Sequence, residues 1–251
     1  MAKKTESKEL VKWDEELAKL AIEATKGISL PAGKFFSLRG GKISLDGAAV
    51  GDSVSGIVVG MVYENQYFDE EFDPDAPQSP VCYAFGYEKE SMMAPHEESE
   101  KPQHEQCKGC PHNEFGSADR GQGKACKNVV RIAIIAEDDL ENLDEAGVVF
   151  MKIPVMSVRN WERYAKVDLA KTLKRPYYTV VTKITLEADN KSQFRVLFSL
   201  EKEINNSKMF SALKTLWEKT MGTIAFPYQV QDRSENKGKK KLPTKKLKFA
   251  R

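Results

Sequence analysis

The run VSGIVVGMVY, from Val54 to Tyr63, decides the fold class. It is rich in β-branched residues and reads as a strand. Gly56 and Gly60 fall inside it, and glycine within a strand marks a bend or bulge of the kind small barrels need at their corners. Working outward, Lys34 to Leu38 and Ile43 to Leu45 flank the turn Arg39-Gly40-Gly41-Lys42 and read as a hairpin. Downstream, VVRIAIIA from Val129 to Ala136 is a buried strand, and Val148 to Val155 is another. Ser157 stands where a helix N-cap belongs, ahead of an apolar stripe of Val158, Trp161, Ala165, Leu169 and Leu173. Tyr177 to Leu186 and Phe194 to Leu200 read as paired strands, and Asn206 or Ser207 caps a last helix carrying Met209, Phe210, Leu213, Leu216 and Trp217.

The N-terminal residues 6 to 26 read as an amphipathic helix, with Leu10, Trp13, Leu17 and Leu20 at helical spacing and Gly27 as its stop. The expected organisation is an N-terminal helix at 1–28, a core domain at 29–232 and a basic tail at 233–251. The fold class is mainly β with helices, a barrel resembling the OB-fold, which binds oligonucleotides.

From Asp69 to Lys127 periodicity disappears and Pro, Glu, Asp and Ser dominate. A compact domain rarely carries so long an irregular insert unless something orders it. All four cysteines, Cys82, Cys107, Cys110 and Cys126, lie in this stretch. Cys107-Lys108-Gly109-Cys110 is a CxxC knuckle, which sets two thiolates on one tight turn at two corners of a tetrahedron. Gly116, Gly121 and Gly123 let the backbone fold closely before Cys126. Four cysteines with none to spare suit a closed structural zinc site, Zn2+ held by four sulfurs. His104, three residues before the knuckle, is an alternative ligand to Cys82, and an iron–sulfur cluster would use the same ligand type. A catalytic metal is disfavoured. No HExxH pattern exists, and the H-x-E at His96-Glu97-Glu98 lacks the proline that a zinc deaminase places before its CxxC.

The net charge of +2 hides an asymmetry. Residues 64–105 hold twelve carboxylates against two lysines, and residues 233–251 hold nine Lys/Arg against one Glu. Blocks of this kind are interaction segments or solvated chain. No apolar run reaches the roughly 20 residues that span a bilayer, and the start MAKKTESKEL lacks the apolar core of a secretory signal. The expectation is a cytoplasmic protein, in the host cell if phage-encoded, with no membrane partner. There, reduced cysteines serve metals rather than disulfides.

The stretch CKGCPHNEFGSADRGQGKACK, Cys107 to Lys127, resembles a pattern of phage and prophage proteins. Those carry CxxCP, then N-x-aromatic-G-S, then GxGKxC. An earlier P-x-C is similar to Pro80-Val81-Cys82. A strand ending in P-x-x-S before a Trp/Tyr-bearing helix is similar to Pro154–Ser157 and Trp161–Tyr164. The resemblance covers about residues 57 to 200, and the Cys107–Cys126 motif is its specific part. It implies a single-stranded DNA-binding protein of replication or recombination type with an OB-like core, non-enzymatic and largely sequence-independent. RNA is left open as a ligand, replication or recombination proteins are the implied partners, and a homo-oligomer is compatible with it. One departure is the tail: such proteins commonly end acidic, whereas this chain ends KGKKKLPTKKLKFAR.

A single strand offers phosphates to cations and base faces to aromatic rings. The candidate stacking residues are Tyr63, Tyr67, Phe68, Tyr177 and Tyr178. The candidate phosphate partners are Lys34, Arg39, Lys42, Lys152, Arg159, Lys174, Arg175 and Lys183, with Lys239, Lys240, Lys241, Lys245 and Lys246 in the tail. For each aromatic the competing role is core packing, and for each cation a solvated surface. An enzyme is not expected, since no Walker loop, nucleophile–His motif or two-metal carboxylate cluster is present. The competing function is a phage interaction factor that docks a host or replisome protein through its acidic zinc module.

Overall fold

The run at 54–63 is the middle of a longer strand that organises the described sheet. The computed structural model describes residues 33–70, 78–88, 93–119, 121–190 and 192–228. The helix read over 6–26, the acidic residues 71–77 and the basic tail lie outside the described residues. The described strands are β1 (Lys34–Arg39), β2 (Lys42–Leu45), β3 (Ala48–Gly51), β4 (Ser53–Tyr67), β5 (Cys82–Gly86), β6 (Lys127–Ile135), β7 (Val149–Ile153), β8 (Val180–Asp189) and β9 (Gln193–Glu203). The two longer helices are α1 (Val158–Arg163), which runs on as π-helix over Tyr164–Leu173, and α2 (Ser207–Thr223).

The strands lie in the order β3-β2-β1-β7-β6-β4-β8-β9, with β5 added to β4. All pairs are antiparallel except β1 with β7, where Phe36 stands opposite Met151. One edge of β4 holds β6 over Ile57–Gln66. Its other edge is divided: Ser53–Gly56 pair with β8, and Tyr63–Tyr67 pair with β5. A strand shared in this way forces the sheet to curl, and the result is a half-barrel. The register slips between Val58 and Gly60, so one of the two glycines in the run does mark a bulge.

Alternation along β4 and β6 divides the apolar side chains between two faces. Val58, Val130, Ile132 and Ile134 point into the half-barrel, where Met151 of β7 and Trp161 and Leu169 of the α1 segment complete one core. Ile57, Val59, Ala133 and Ile135 point outward and meet Leu213 of α2 and Ile224 just beyond it. Being apolar on both faces, β4 and β6 read as continuous hydrophobic runs rather than alternating ones.

Three local expectations change. Ser157 makes no capping bond; its hydroxyl accepts instead from the backbone N–H of Val196 on β9. Tyr177–Thr179 form a 3₁₀ turn, so β8 begins only at Val180. The insert at 69–127 is not wholly irregular, because β5 lies inside it and pairs in register with β4. Asn206 does cap α2, accepting from the backbone N–H groups of Lys208 and Met209. Among the described residues no helix is long and apolar enough to cross a membrane.

Candidate functional site

Two cysteines are fixed by the sheet. Cys82 opens β5 opposite Tyr67, and Cys126 directly precedes Lys127, which pairs with Gln66. Both therefore flank the C-terminal end of β4. The knuckle is brought to the same place by its backbone. Cys107 N–H donates to Met93 O at 2.7 Å, and Cys126 N–H donates to His112 O at 2.8 Å. Gly109 turns at φ +81°, a left-handed conformation that suits glycine. Asn113 then locks the turn from both sides: its backbone N–H donates to Cys110 O and its side-chain amide to Cys107 O.

All four cysteines line one cavity of about 20 Å³, with Tyr67, His104 and His112 also on its wall. That volume holds a single water-sized body. The thiols feel one another. Burial pushes Cys126 up to about 12, and the neighbouring Cys107, Cys82 and Cys110 push in the same direction. Burial also raises Cys82 and Cys107, opposed by hydrogen bonds from Gln103 and Asn65 respectively, with smaller upward pushes from Cys110 on Cys82 and from Cys82 and Cys110 on Cys107. All four are free thiols. Yet among the described residues no three His, Cys, Asp or Glu side chains are grouped as a site that could hold a metal ion. Sharing a cavity is the looser condition and is met; ligand spacing is the stricter one and is not. As donors, four sulfurs around a space for one small body fit a thiophilic ion. His104 is exposed at the cavity wall, and its Nδ1 lies 2.9 Å from the backbone oxygen of Gln106.

The candidate nucleic-acid residues scatter into several groups. Tyr63, Tyr177 and Tyr178 serve the interior. Tyr63 donates to Glu162 at 3.1 Å, Tyr177 accepts from Trp217 Nε1 at 2.7 Å, and Tyr178 stacks on Trp217. Lys152 and Arg175 spend their charge on internal partners. Lys152 donates to the Tyr228 hydroxyl, and burial lowers its ammonium to about 8. Arg175 pairs with Glu203 and bonds Asn205 and Ile204 O. Lys34 pairs with Asp46 at 3.4 Å. The exposed group is Arg39 and Lys42 at the β1–β2 turn, Arg159 and Lys174 at the ends of the α1 segment, and Lys183 on β8. Tyr67 packs its ring at a tilt against His112, 4.2 Å between centroids, at the cysteine cavity, and Phe68 is half-buried next to it. The tail lysines lie outside the described residues.

Two features escaped the sequence reading. Arg159, Arg163, Lys166, Lys171 and Lys174 are all exposed along the α1 segment and its C-cap, five cations against the single exposed carboxylate Asp168. The second is a buried polar knot. Arg131 on β6 and Glu64 on β4 are 1% and 0% exposed and form a bidentate pair. Tyr228 also bonds Glu64, and Arg131 Nη1 donates to Ile224 O and Phe226 O. The guanidinium lies between the rings of Phe226 and Phe85, at 4.4 and 4.7 Å. The signal was present: a lone arginine inside VVRIAIIA needs a buried partner. Comparison with protein-family models, curated proteins and solved structures finds no match.

Proposed function

We propose that this chain binds single-stranded DNA without sequence preference, as a non-enzymatic protein of phage replication or recombination type working in the cytoplasm. The observation that carries the reading is the strand order β7-β6-β4-β8-β9. Taken along the chain these are third, second, first, fourth and fifth, the first is long and shared, and the α1 segment lies between the third and fourth. That order is compatible with an OB barrel, whose second and third strands, with the first and fourth connections, bind oligonucleotides, and it supports the reading. Here the first connection contains the cysteine cavity, and the fourth is the turn between β8 and β9. The added hairpin of β1 and β2 pairs with the outer edge of β7.

The exposed cations supply the phosphate-binding chemistry. Arg159, Arg163, Lys166, Lys171 and Lys174 are exposed along the α1 segment and offer phosphate contacts to a strand, and Arg39, Lys42 and Lys183 are also exposed. A structural Zn2+ would be held by Cys82, Cys107, Cys110 and Cys126, closing the first connection onto the end of β4. Within this reading Cys82 would be the fourth ligand rather than His104: Cys82 opens β5 on the cavity wall, while His104 is exposed and its Nδ1 contacts the Gln106 backbone oxygen.

Titration of a labelled single strand of about 30 nucleotides at two salt concentrations tests the reading. Micromolar or tighter binding that weakens steeply with salt is expected. Absence of binding at low salt overturns it and favours a docking factor acting through the acidic module. Deleting residues 233–251 is expected to weaken binding and flatten its salt dependence.

A further inference from the structure

Resting on that reading, we propose that Phe115 is a base-stacking platform, presented to the single strand by the cysteine loop. Among the described large hydrophobic side chains it is the most exposed, at 82%. A phenylalanine so placed forgoes the burial that normally holds it inside a protein.

The ring does not hang from a loose segment. Gly116 N–H donates to Gly123 O at 2.9 Å, and Ala118 N–H donates to the same oxygen at 3.2 Å. The Ser117 hydroxyl donates to Glu114 O and accepts from Ala125 N–H at 3.0 Å. Gly116 and Gly121 take φ of +87° and +80°, which permits the tight closure. A loop cross-linked in this way fixes its tip, so the ring is held out in water by design of the backbone.

The surroundings select the occupant. The Lys124 ammonium lies 5.1 Å from the ring centroid and is anchored by Asn113 Oδ1. Lys108 is exposed on the same loop, and Lys127 is exposed where the loop enters β6. Counting Cys107 to Lys127, four Lys/Arg face two carboxylates, Glu114 and Asp119, for a local net of +2. An apolar π-face beside cations matches a base with its phosphates, since every base offers a face to stack. The loop also belongs to the first of the two connections that oligonucleotide-binding barrels use.

The test uses the full chain with a 30-nucleotide oligothymidine and an abasic strand of equal length, about 30 units each. Phe115→Ala is expected to weaken oligothymidine binding by about fivefold to 100-fold, with the salt slope unchanged. The abasic strand should bind wild type and variant alike. Phe115→Trp should bind as wild type does and show a fall in indole emission beyond that of wild type. Equal oligothymidine affinity for Phe115→Ala and wild type overturns the stacking role alone. Equal losses on both strands also overturn it, because the ring would then act through the loop's shape. A wild-type protein that binds neither strand at low salt overturns the stacking role together with the function on which it rests.

Discussion

Arg131 on β6 and Glu64 on β4 are diagonal neighbours across the ladder and form a buried bidentate pair, Nε to Oε2 at 3.0 Å and Nη2 to Oε1 at 3.1 Å. The same guanidinium holds the chain leaving α2 through Ile224 O and Phe226 O. One side chain thus joins the two central strands to the segment that covers their outer face. Removing either partner strands a charge in the interior. Arg131→Met is expected to lose about 3–5 kcal/mol of stability, read from urea unfolding midpoints at constant m. Replacing Arg131 and Glu64 together by apolar residues should recover part of that loss. A single variant within ~0.5 kcal/mol of wild type would show that the pair is not desolvated as described.

Lys152 gives a pH signature. Its amine is held down to about 8 by burial first, with Glu64 pulling it up and Arg131 pushing it down. Its folded value lies below the unfolded one, so between about 8 and 10.5 the unfolded chain binds more protons. Folding stability from this group therefore rises with pH across that window. Raised thiols and tyrosines act in the opposite direction from about 9 upward, so the measurement is a difference. Wild type should gain on Lys152→Met by up to about 3 kcal/mol between pH 7.5 and 10.5, followed by denaturant titration at each pH. A constant gap would place the ammonium in solvent.

Gly60 lies where α2 presses on the bulge of β4. A Cβ there would sit 2.9 Å from Thr220 Cγ2 and 3.4 Å from Ile224 Cδ1. Gly60→Ala should cost about 1–3 kcal/mol through overpacking. Combining it with Thr220→Ser, which removes the crowded methyl, should return a good part of the loss. If the double variant is no better than the single one, the crowding lies elsewhere.

If zinc is bound as proposed, chelation is expected to separate the cysteine module from the half-barrel. With zinc removed, amide exchange should rise over residues 80–127 and along the β5 edge of β4, while β6, β7 and β8 keep their protection. Unfolding of the whole chain in one step would mean that the module and the barrel are a single cooperative unit.

Charge on the α1 face can be tested without disturbing the core. Arg163 and Lys171 are exposed, and the buried side of their helix carries Trp161, Tyr164 and Leu169. Arg163→Glu with Lys171→Glu should leave stability within about 0.5 kcal/mol. The log–log salt slope for single-strand binding should fall in magnitude by about 1.4, two contacts at ~0.7 each. An unchanged slope would move the phosphate path off this helix.

Much of the β framework was legible because strands carry their own signal. The apolar runs at 54–63 and 129–136 and the turn at 39–42 each encode a local preference, and they reappear as β4, β6 and the β1–β2 hairpin. Asn206 capped its helix as its side chain allows. β5 was hidden because CYAFG is short and sits among prolines and carboxylates; it becomes a strand only by pairing with β4. Ser157 was misread because a hydroxyl bonds whichever donor the tertiary fold brings, and here that is Val196 N–H.

The sequence by itself determined which residues could do chemistry: four thiols, a CxxC turn with its glycines, and a surplus of cations downstream. Those depend on residue type and local spacing, which a chain carries before it folds. Only the tertiary structure decided where each one went. It gathered four cysteines around one cavity and turned Lys152 and Arg175 to internal partners. It also left five cations of the α1 segment exposed and Phe115 in water. Such choices rest on contacts between residues far apart in the chain, such as Glu64 with Arg131 and Tyr228, and local propensity carries no information about them.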